Sequence, residues 1–309
     1  MNAATLNSHR LWAYLQLMRP ANIVTAWADV LAGFAASGSV VLLETMTAPA
    51  TSAKLVSLAW LLVATTGLYG GGVVFNDVFD TELDTQERPE RPIPSGRASR
   101  QGATLLGSVL LLLGVVAASQ VSWLSAILAL GIASAALLYD ALGKHHPVLG
   151  PLNMGVCRGG NLLLGISAAP AMLAEHWFLA LIPIVYIAAI TTISRGEVHG
   201  AKDKIPVIAL LLICTVIAGL LGLGLLNDYQ VLGALPLVAL FAARVLVPFI
   251  KAVRQPTPEQ IRTAVKAGIL SLIVLDATVA AGFASLPYGL LVLSLLPISM
   301  ALAQMFAVT

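Results

Sequence analysis

Charge is scarce in this chain. Asp, Glu, Lys and Arg fill only 10% of its 309 positions, against about a quarter in soluble domains. That excludes an ordinary water-soluble enzyme, and no nucleic-acid partner is expected. Cysteine is scarcer still. Cys157 and Cys214 both fall inside apolar stretches, where they read as small packing residues rather than a disulfide or a metal pair. A secretory signal is also missing, because the residues before Arg19-Pro20 are polar and hold no contiguous apolar core. Low-complexity linkers are absent too. The organisation expected is a short cytoplasmic segment, 1–20, followed by one membrane domain, 21–309.

What is present is hydrocarbon. The chain is 58% apolar with a mean hydropathy of +0.90, and stretches of the ~20 residues needed to cross a bilayer recur throughout. They are read at 21–43, 54–76, 103–121, 122–140, 148–170, 177–194, 205–226, 231–250, 264–285 and 287–307. The weakest boundaries are 119–122 and Leu286-Pro287, so the count is nine to ten. The fold class is all-α: a polytopic bundle of transmembrane helices around a central cavity. Basic residues follow a rule of sides. Arg10 and Arg19 precede the first span, Arg88, Arg91, Arg97 and Arg100 follow the second, and Lys144 follows the fourth. Arg195, Lys202 and Lys204 follow the sixth, and Lys251, Arg254, Arg262 and Lys266 flank the turn after the eighth. The opposite loops hold only Lys54. By the positive-inside rule both termini and all of the basic loops face the cytoplasm, in a cell (inner) membrane.

The second span runs into Asn76-Asp77-Val78-Phe79-Asp80-Thr81-Glu82-Leu83-Asp84. Ionisable groups at a helix end in a membrane are costly and mark functional sites. Asn76, Asp80 and Asp84 are four apart and Asp77 lies three before Asp80, so all four share one helical face. Such a stripe repels itself unless a cation sits among the carboxylates. Mg²⁺ suits it, because that ion takes oxygen ligands, binds through few carboxylates and fills its shell with water and phosphate oxygens. Arg88-Pro89-Glu90-Arg91-Pro92-Ile93-Pro94-Ser95-Gly96 follows. Its guanidinium groups match phosphate in a bidentate way, and its prolines end the helix.

This combination, N-D-x-x-D-x-x-x-D followed by R-P-I-P-S-G after a second span, resembles the UbiA superfamily of intramembrane prenyltransferases. The likeness extends back to Arg19-Pro20-Ala21-Asn22 and forward to Tyr139 and Lys144. The resemblance implies Mg²⁺-dependent transfer of an isoprenyl group from an isoprenyl diphosphate to a lipophilic acceptor, commonly an aromatic ring. It places Asn76, Asp77, Asp80 and Asp84 at the metal. Arg91, Tyr139 and Lys144 fall beside the leaving diphosphate, and Asn22, Arg88 and Lys202 at the substrate.

The second motif departs from the family pattern. Where an aspartate is usual the chain has Ser194, and the nearby acids are Glu197 and Asp203. Glu197 is left to supply most of any second metal site, and Ser-Arg-Gly-Glu-Val-His-Gly looks like the EboC group of UbiA-like proteins. His199 is either a third ligand or a solvated loop residue, and His145-His146 read as loop. The two acid-bearing loops, about 120 residues apart, also indicate a pseudo-repeat of two halves with the ligand at their interface.

Asp29, Arg158, Asn161, Arg244 and Asp276 lie inside spans. Arg158 and Asn161 either line the substrate site or, in the case of Arg158, pair with Asp29 or Asp276. Trp27, Phe75 and Phe79 line a prenyl tunnel or simply pack. Two other readings compete with the enzyme. One is a non-catalytic binder or carrier of an isoprenoid or related metabolite. The other is a transporter, which would place broken helices and paired acids at mid-membrane. An EF-hand is excluded by the missing Gly and distal Glu.

The side assignment is testable by labelling. In a background lacking Cys157 and Cys214, Ser95→Cys is expected to resist a membrane-impermeant thiol reagent in intact cells and to react after permeabilisation. Ready labelling of intact cells would reverse the orientation.

Overall fold

A computed structural model describes residues 3–40, 48–144, 146–198, 200–201 and 204–306. The chain is helical, with no strand among the described residues. In order run α1 (Ala3–Met18), α2 (Pro20–Ala36), α3 (Ala48–Phe79), α4 (Thr81–Glu87), α5 (Arg100–Ser119), α6 (Trp123–Leu138) and a π-helical turn, Tyr139–Gly143. Then come α7 (Leu149–Ile166), α8 (Met172–His176), a 3₁₀ turn (Trp177–Ala180), α9 (Leu181–Ser194), α10 (Lys204–Gly222), α11 (Val231–Arg254), α12 (Pro258–Phe283), α13 (Leu286–Leu293) and α14 (Leu295–Phe306). Eight helical segments are long and apolar enough to cross a membrane. The shorter α2 and α7 complete the ten expected positions. Large apolar side chains such as Leu112, Trp123, Leu225 and Leu232 stand exposed on the outside, as a lipid-facing surface requires and a water-facing one would not tolerate.

Helix ends follow local chemistry. Ser99 and Ser122 accept hydrogen bonds from the backbone N–H of Gly102 and Ser125, each at 3.0 Å. They thereby satisfy first-turn donors of α5 and α6, and the Ser122 cap divides two apolar runs that have almost nothing between them. Several boundaries differ from the expected ones. The first span ends at Ala36 rather than 43, and residues 41–47 lie outside the described set. The second starts at Ala48 and runs to Phe79, 32 residues. That is about 48 Å of helix against ~30 Å of hydrocarbon. The ninth starts early, at Pro258, capped by Thr257. Its charged first turns hid it from a hydropathy reading. The tenth is broken at Ser294, where Pro297 lacks the N–H that would carry the helix through. The segment 1–20 is itself mostly helix. Ala13 and Leu17 of α1 are buried with Val74, Val78, Ile93, Ala98 and Ala103, which seats α1 over the C-terminal end of α3.

Two contacts position everything that follows. Arg19 stands between α1 and α2 with φ 50°, ψ 65°. It is the only left-handed non-glycine among the described residues, and such a conformation costs of order 1–3 kcal/mol. Pro20 then opens α2 at the position where a missing N–H is harmless. Further along, α2 packs on α7 through Gly33 and Gly165. A Cβ on Gly165 would meet the Val30 carbonyl at 2.3 Å, and one on Gly33 would meet the Leu162 carbonyl at 2.1 Å. Only glycine on both sides lets the backbones approach this closely, as at other intramembrane helix contacts. Gly165→Ala is therefore expected to lower stability by about 1–3 kcal/mol, the usual cost of overpacking. Thermal unfolding in detergent checks it, and an unchanged midpoint would refute the contact.

Candidate active site

The acid stripe forms as the spacing requires. The backbone of α3 hands over to α4 through hydrogen bonds from Asp80 N to Asn76 O (2.9 Å) and from Asp84 N to Asp80 O (2.8 Å). Asn76, Asp77, Asp80 and Asp84 thus stay in helical register across the joint. Asp77 and Asp84 are buried, at 6% and 4% exposure.

Each carboxylate has a cation. Arg19 donates to Asp77 at 2.7 Å. Arg91 donates to Asp84 at 2.8 Å and reaches Asp77 at 3.4 Å. Lys144 donates to Asp80. Buried carboxylates must be paired, and here the partners arrive from three separate elements. Arg19 comes from the strained joint before α2, and Arg91 from the proline-rich loop. Lys144 sits directly after the π turn, a feature often found at functional positions. The loop is itself pinned. Arg97 donates to Gln16 of α1 at 2.7 Å and to the Glu90 carbonyl at 2.7 Å, while Gly96 takes φ +74°.

Sequence reasoning missed two members. Asp140, buried within the π turn, accepts a hydrogen bond from Asn76 Nδ2 at 2.8 Å. It stands four residues before Lys144, a spacing that could have marked it. Arg19 was noticed only as part of a motif, not as the partner of Asp77. Tyr139 lies half-buried in the field of Asp140, Asp80 and Arg195, and Asn22 stands at the start of α2, three residues past Arg19.

Other expected members have neighbours of their own. Glu197 lies in the field of Arg88, at the end of α4, and Arg262, near the start of α12. Burial pushes that carboxyl above the usual range, while the two guanidinium groups pull it back. Arg195, two residues before it, donates to the His146 carbonyl at 2.8 Å. Ser194 hydrogen bonds back to Thr191 O at 3.0 Å. Arg158 and Asn161 direct their hydrogen bonds to Thr25, Ala26 and Asp29 of α2, so of the two expectations for Arg158 the geometry supports the pairing with Asp29. Lys202, His199, His145 and Asp203 lie outside the described residues.

The donors around the stripe are all oxygen atoms, four carboxylates and one amide, which fits Mg²⁺ and not a thiophilic metal. Among the described residues no three Asp, Glu, His or Cys side chains converge as a ready-made cluster. Arg19, Arg91 and Lys144 take that place. Asn76, Asp77, Asp80 and Asp84 are the residues that would hold the ion, with Asp140 behind Asn76.

Comparison with known proteins agrees with this layout. The profile of the UbiA prenyltransferase family matches residues 30–272. A digeranylgeranylglyceryl phosphate synthase of Methanothrix thermoacetophila is 35% identical over 190 residues, 61% of this chain and 64% of that protein. One of Ignicoccus hospitalis is 32% identical over 199 residues, 64% of this chain and 61% of that protein. The matches therefore span less than two thirds of these curated relatives. Among solved structures, one of digeranylgeranylglyceryl phosphate synthase in membranes shares the fold with TM-score 0.66 at 20% identity, covering 89% of this chain and 98% of that one. A UbiA homologue from Archaeoglobus fulgidus bound to GPP and Mg²⁺ gives TM-score 0.56 at 16% identity, covering 91% and 99%. With the family profile extending over most of the spans and the helices arranged as in those structures, the chain belongs to the UbiA prenyltransferase family.

Proposed function

We propose that this protein is an intramembrane prenyltransferase that moves an isoprenyl group from an isoprenyl diphosphate to a lipophilic acceptor at the cytoplasmic end of α3. The observation that carries the proposal is the one-to-one pairing of Asp77, Asp80 and Asp84 with Arg19, Arg91 and Lys144. In such a site each of the three carboxylates has a cationic partner and can be re-partnered. An incoming diphosphate competes for the three cations, and the carboxylates they release are then free for metal.

Bound there, Mg²⁺ would neutralise charge on the departing diphosphate. Arg91 and Lys144 hold fixed positive charge where the leaving oxygens gain it, which is the arrangement that lowers such barriers. Arg19, locked in its left-handed backbone, keeps its guanidinium aimed at the stripe. Asp140 holds the Asn76 amide in one orientation. As the allylic C–O bond breaks, its electron pair leaves with the diphosphate. The acceptor then bonds to the prenyl carbon and gives up a proton. Apolar walls around the stripe keep water from the cation.

The relatives' product bears a glyceryl phosphate group, whereas the sequence pattern implied an aromatic acceptor. Both classes belong in the test. A second reading, a binder or carrier without turnover, is favoured by one observation: Glu197 of the altered second motif lies in the field of two guanidinium groups, Arg88 and Arg262. That alteration is also what likens the chain to the EboC group.

In purified protein, Asp80→Ala and Asp84→Ala are each expected to cut Mg²⁺-dependent isoprenyl diphosphate binding or turnover by about 100-fold or more, the scale of losing one electrostatic contact at a reacting centre. Calorimetry with Mg²⁺ and geranyl diphosphate reads the binding. Pyrophosphate release, with mass spectrometry of products from a panel of aromatic and prenylglyceryl phosphate acceptors, reads the turnover. Binding at the parent level in both variants would overturn the metal assignment. Diphosphate binding with no pyrophosphate from any acceptor would favour the carrier.

Glu197 separates a ligand from a clasp. As a clasp, Glu197→Gln leaves Mg²⁺-dependent binding within about threefold, since amide for carboxylate breaks only a surface-type pairing. Near-complete loss of binding or turnover would instead make it a metal ligand. Linkage supplies a second readout. A carboxyl held above its unfolded value favours the folded state most below that value, and this contribution is lost as pH rises through the folded value. The parent should therefore lose a little stability from mildly acidic to neutral pH that the Gln variant retains.

A further inference from the structure

Three buried carboxylate oxygens remain without a donor in the middle of the bundle. Asp29 lies on α2 nine residues past Pro20, about 14 Å along the helix, near the centre of a hydrocarbon layer ~30 Å thick. One of its oxygens is well served: Oδ2 accepts from Arg158 at 2.6 Å and from Asn161 at 3.0 Å. Arg158 also donates to the Thr25 hydroxyl and lies 5.3 Å over the Tyr69 ring. Asn161 donates to the Ala26 carbonyl at 2.8 Å. The other oxygen of Asp29, and both oxygens of Asp276 on α12, have no partner. Both residues are 0% exposed. The two carboxyl groups stand within hydrogen-bonding reach of each other.

No donor bonds these three oxygens, although Arg244 Nε on α11 and Ser271 Oγ on α12 are also buried without a partner. Tyr186 on α9 spends its hydroxyl on the Gly268 carbonyl at 2.8 Å, and Thr278 spends its own on Val274 O at 2.8 Å. Arg244 on α11 acts on the Tyr186 side. The three groups that act directly on one another, Arg158, Asp29 and Asp276, sum to −1 with both acids ionised. Two facing carboxylates in a dry interior cannot both stay ionised, and an uncompensated charge there costs several kcal/mol.

We propose that Asp29 and Asp276 together bind one proton at mid-membrane, as a carboxylic acid of Asp276 donating to the free oxygen of Asp29. The bound proton makes the Arg158–Asp29–Asp276 group neutral, supplies the missing donor, and clamps α12 to the α2–α7 pair. The ligand is a single positive charge. The contact between the two carboxyls favours a proton, since only three oxygens are free and a metal cation would need more ligands. This site is separate from the acid stripe and does not depend on the prenyl-transfer reading.

Infrared difference spectroscopy of the detergent-purified protein tests it. The parent should show the C=O stretch of a neutral carboxylic acid that persists into alkaline buffer, where accessible acids ionise. The band should vanish in Asp276→Asn. In thermal unfolding that variant should keep the parental midpoint, because its amide N–H replaces the shared proton, whereas Asp276→Ala should fall below it. A parent spectrum without a persistent neutral-acid band overturns the proposal even if no variant folds. So does a parental midpoint that rises with NaCl or KCl when that of Asp276→Asn does not, which would make the occupant a metal ion.

Discussion

Charge neutrality in a low-dielectric interior governs this protein at two depths. At the C-terminal end of α3, three carboxylates are matched by Arg19, Arg91 and Lys144. At mid-membrane, Arg158 is matched by Asp29. In neither place can a charge stand alone, because removing one partner from a buried pair costs about 3–5 kcal/mol. The helices are arranged accordingly. Arg19 accepts a left-handed backbone in order to reach Asp77. Gly33 and Gly165 give up side chains so that α2 comes near enough to α7 for Asp29 to meet Arg158 and Asn161.

The two networks have different characters. The mid-membrane one is closed: its members are buried, and Arg158 and Asn161 bond within the bundle. The one at the end of α3 is half-open, with Arg19, Arg91, Asp80 and Lys144 each retaining some exposure. A closed network fixes geometry, and a half-open one can exchange partners. The division places rigidity beneath the site and exchangeable charge at its mouth, as preorganised electrostatic catalysis requires.

Much of this was legible in the chain because local periodicity encodes it. The four-residue spacing of Asn76, Asp80 and Asp84 needs only a helix to become one face, and the prolines from 89 to 94 mark the loop that brings Arg91 back. Long-range partners were not legible. Asp140 looked like the polar end of an apolar run, and its bond to Asn76 spans 64 residues of sequence. The groups that act on Glu197, Arg88 and Arg262, come from distant parts of the chain, which local periodicity does not encode. Helix ends were misplaced where charge and hydropathy diverge, as at Pro258, whose first turns are polar although the helix continues.

The unusual length of α3 ties the site to the membrane itself. A rod about 48 Å long cannot fit upright within ~30 Å of hydrocarbon, so it must lean or project, and the acid stripe lies at one of its two ends. The height of Asp77 and Asp80 above the lipid is then a function of bilayer thickness. In a thick, ordered membrane the stripe is drawn toward the acyl chains and its ionic partners tighten. In a thin one it stands in the headgroup layer, open to soluble diphosphates and ions. Hydrophobic mismatch, at a cost of fractions of a kcal/mol per Å, thereby lets lipid composition tune access to the charged mouth of the protein.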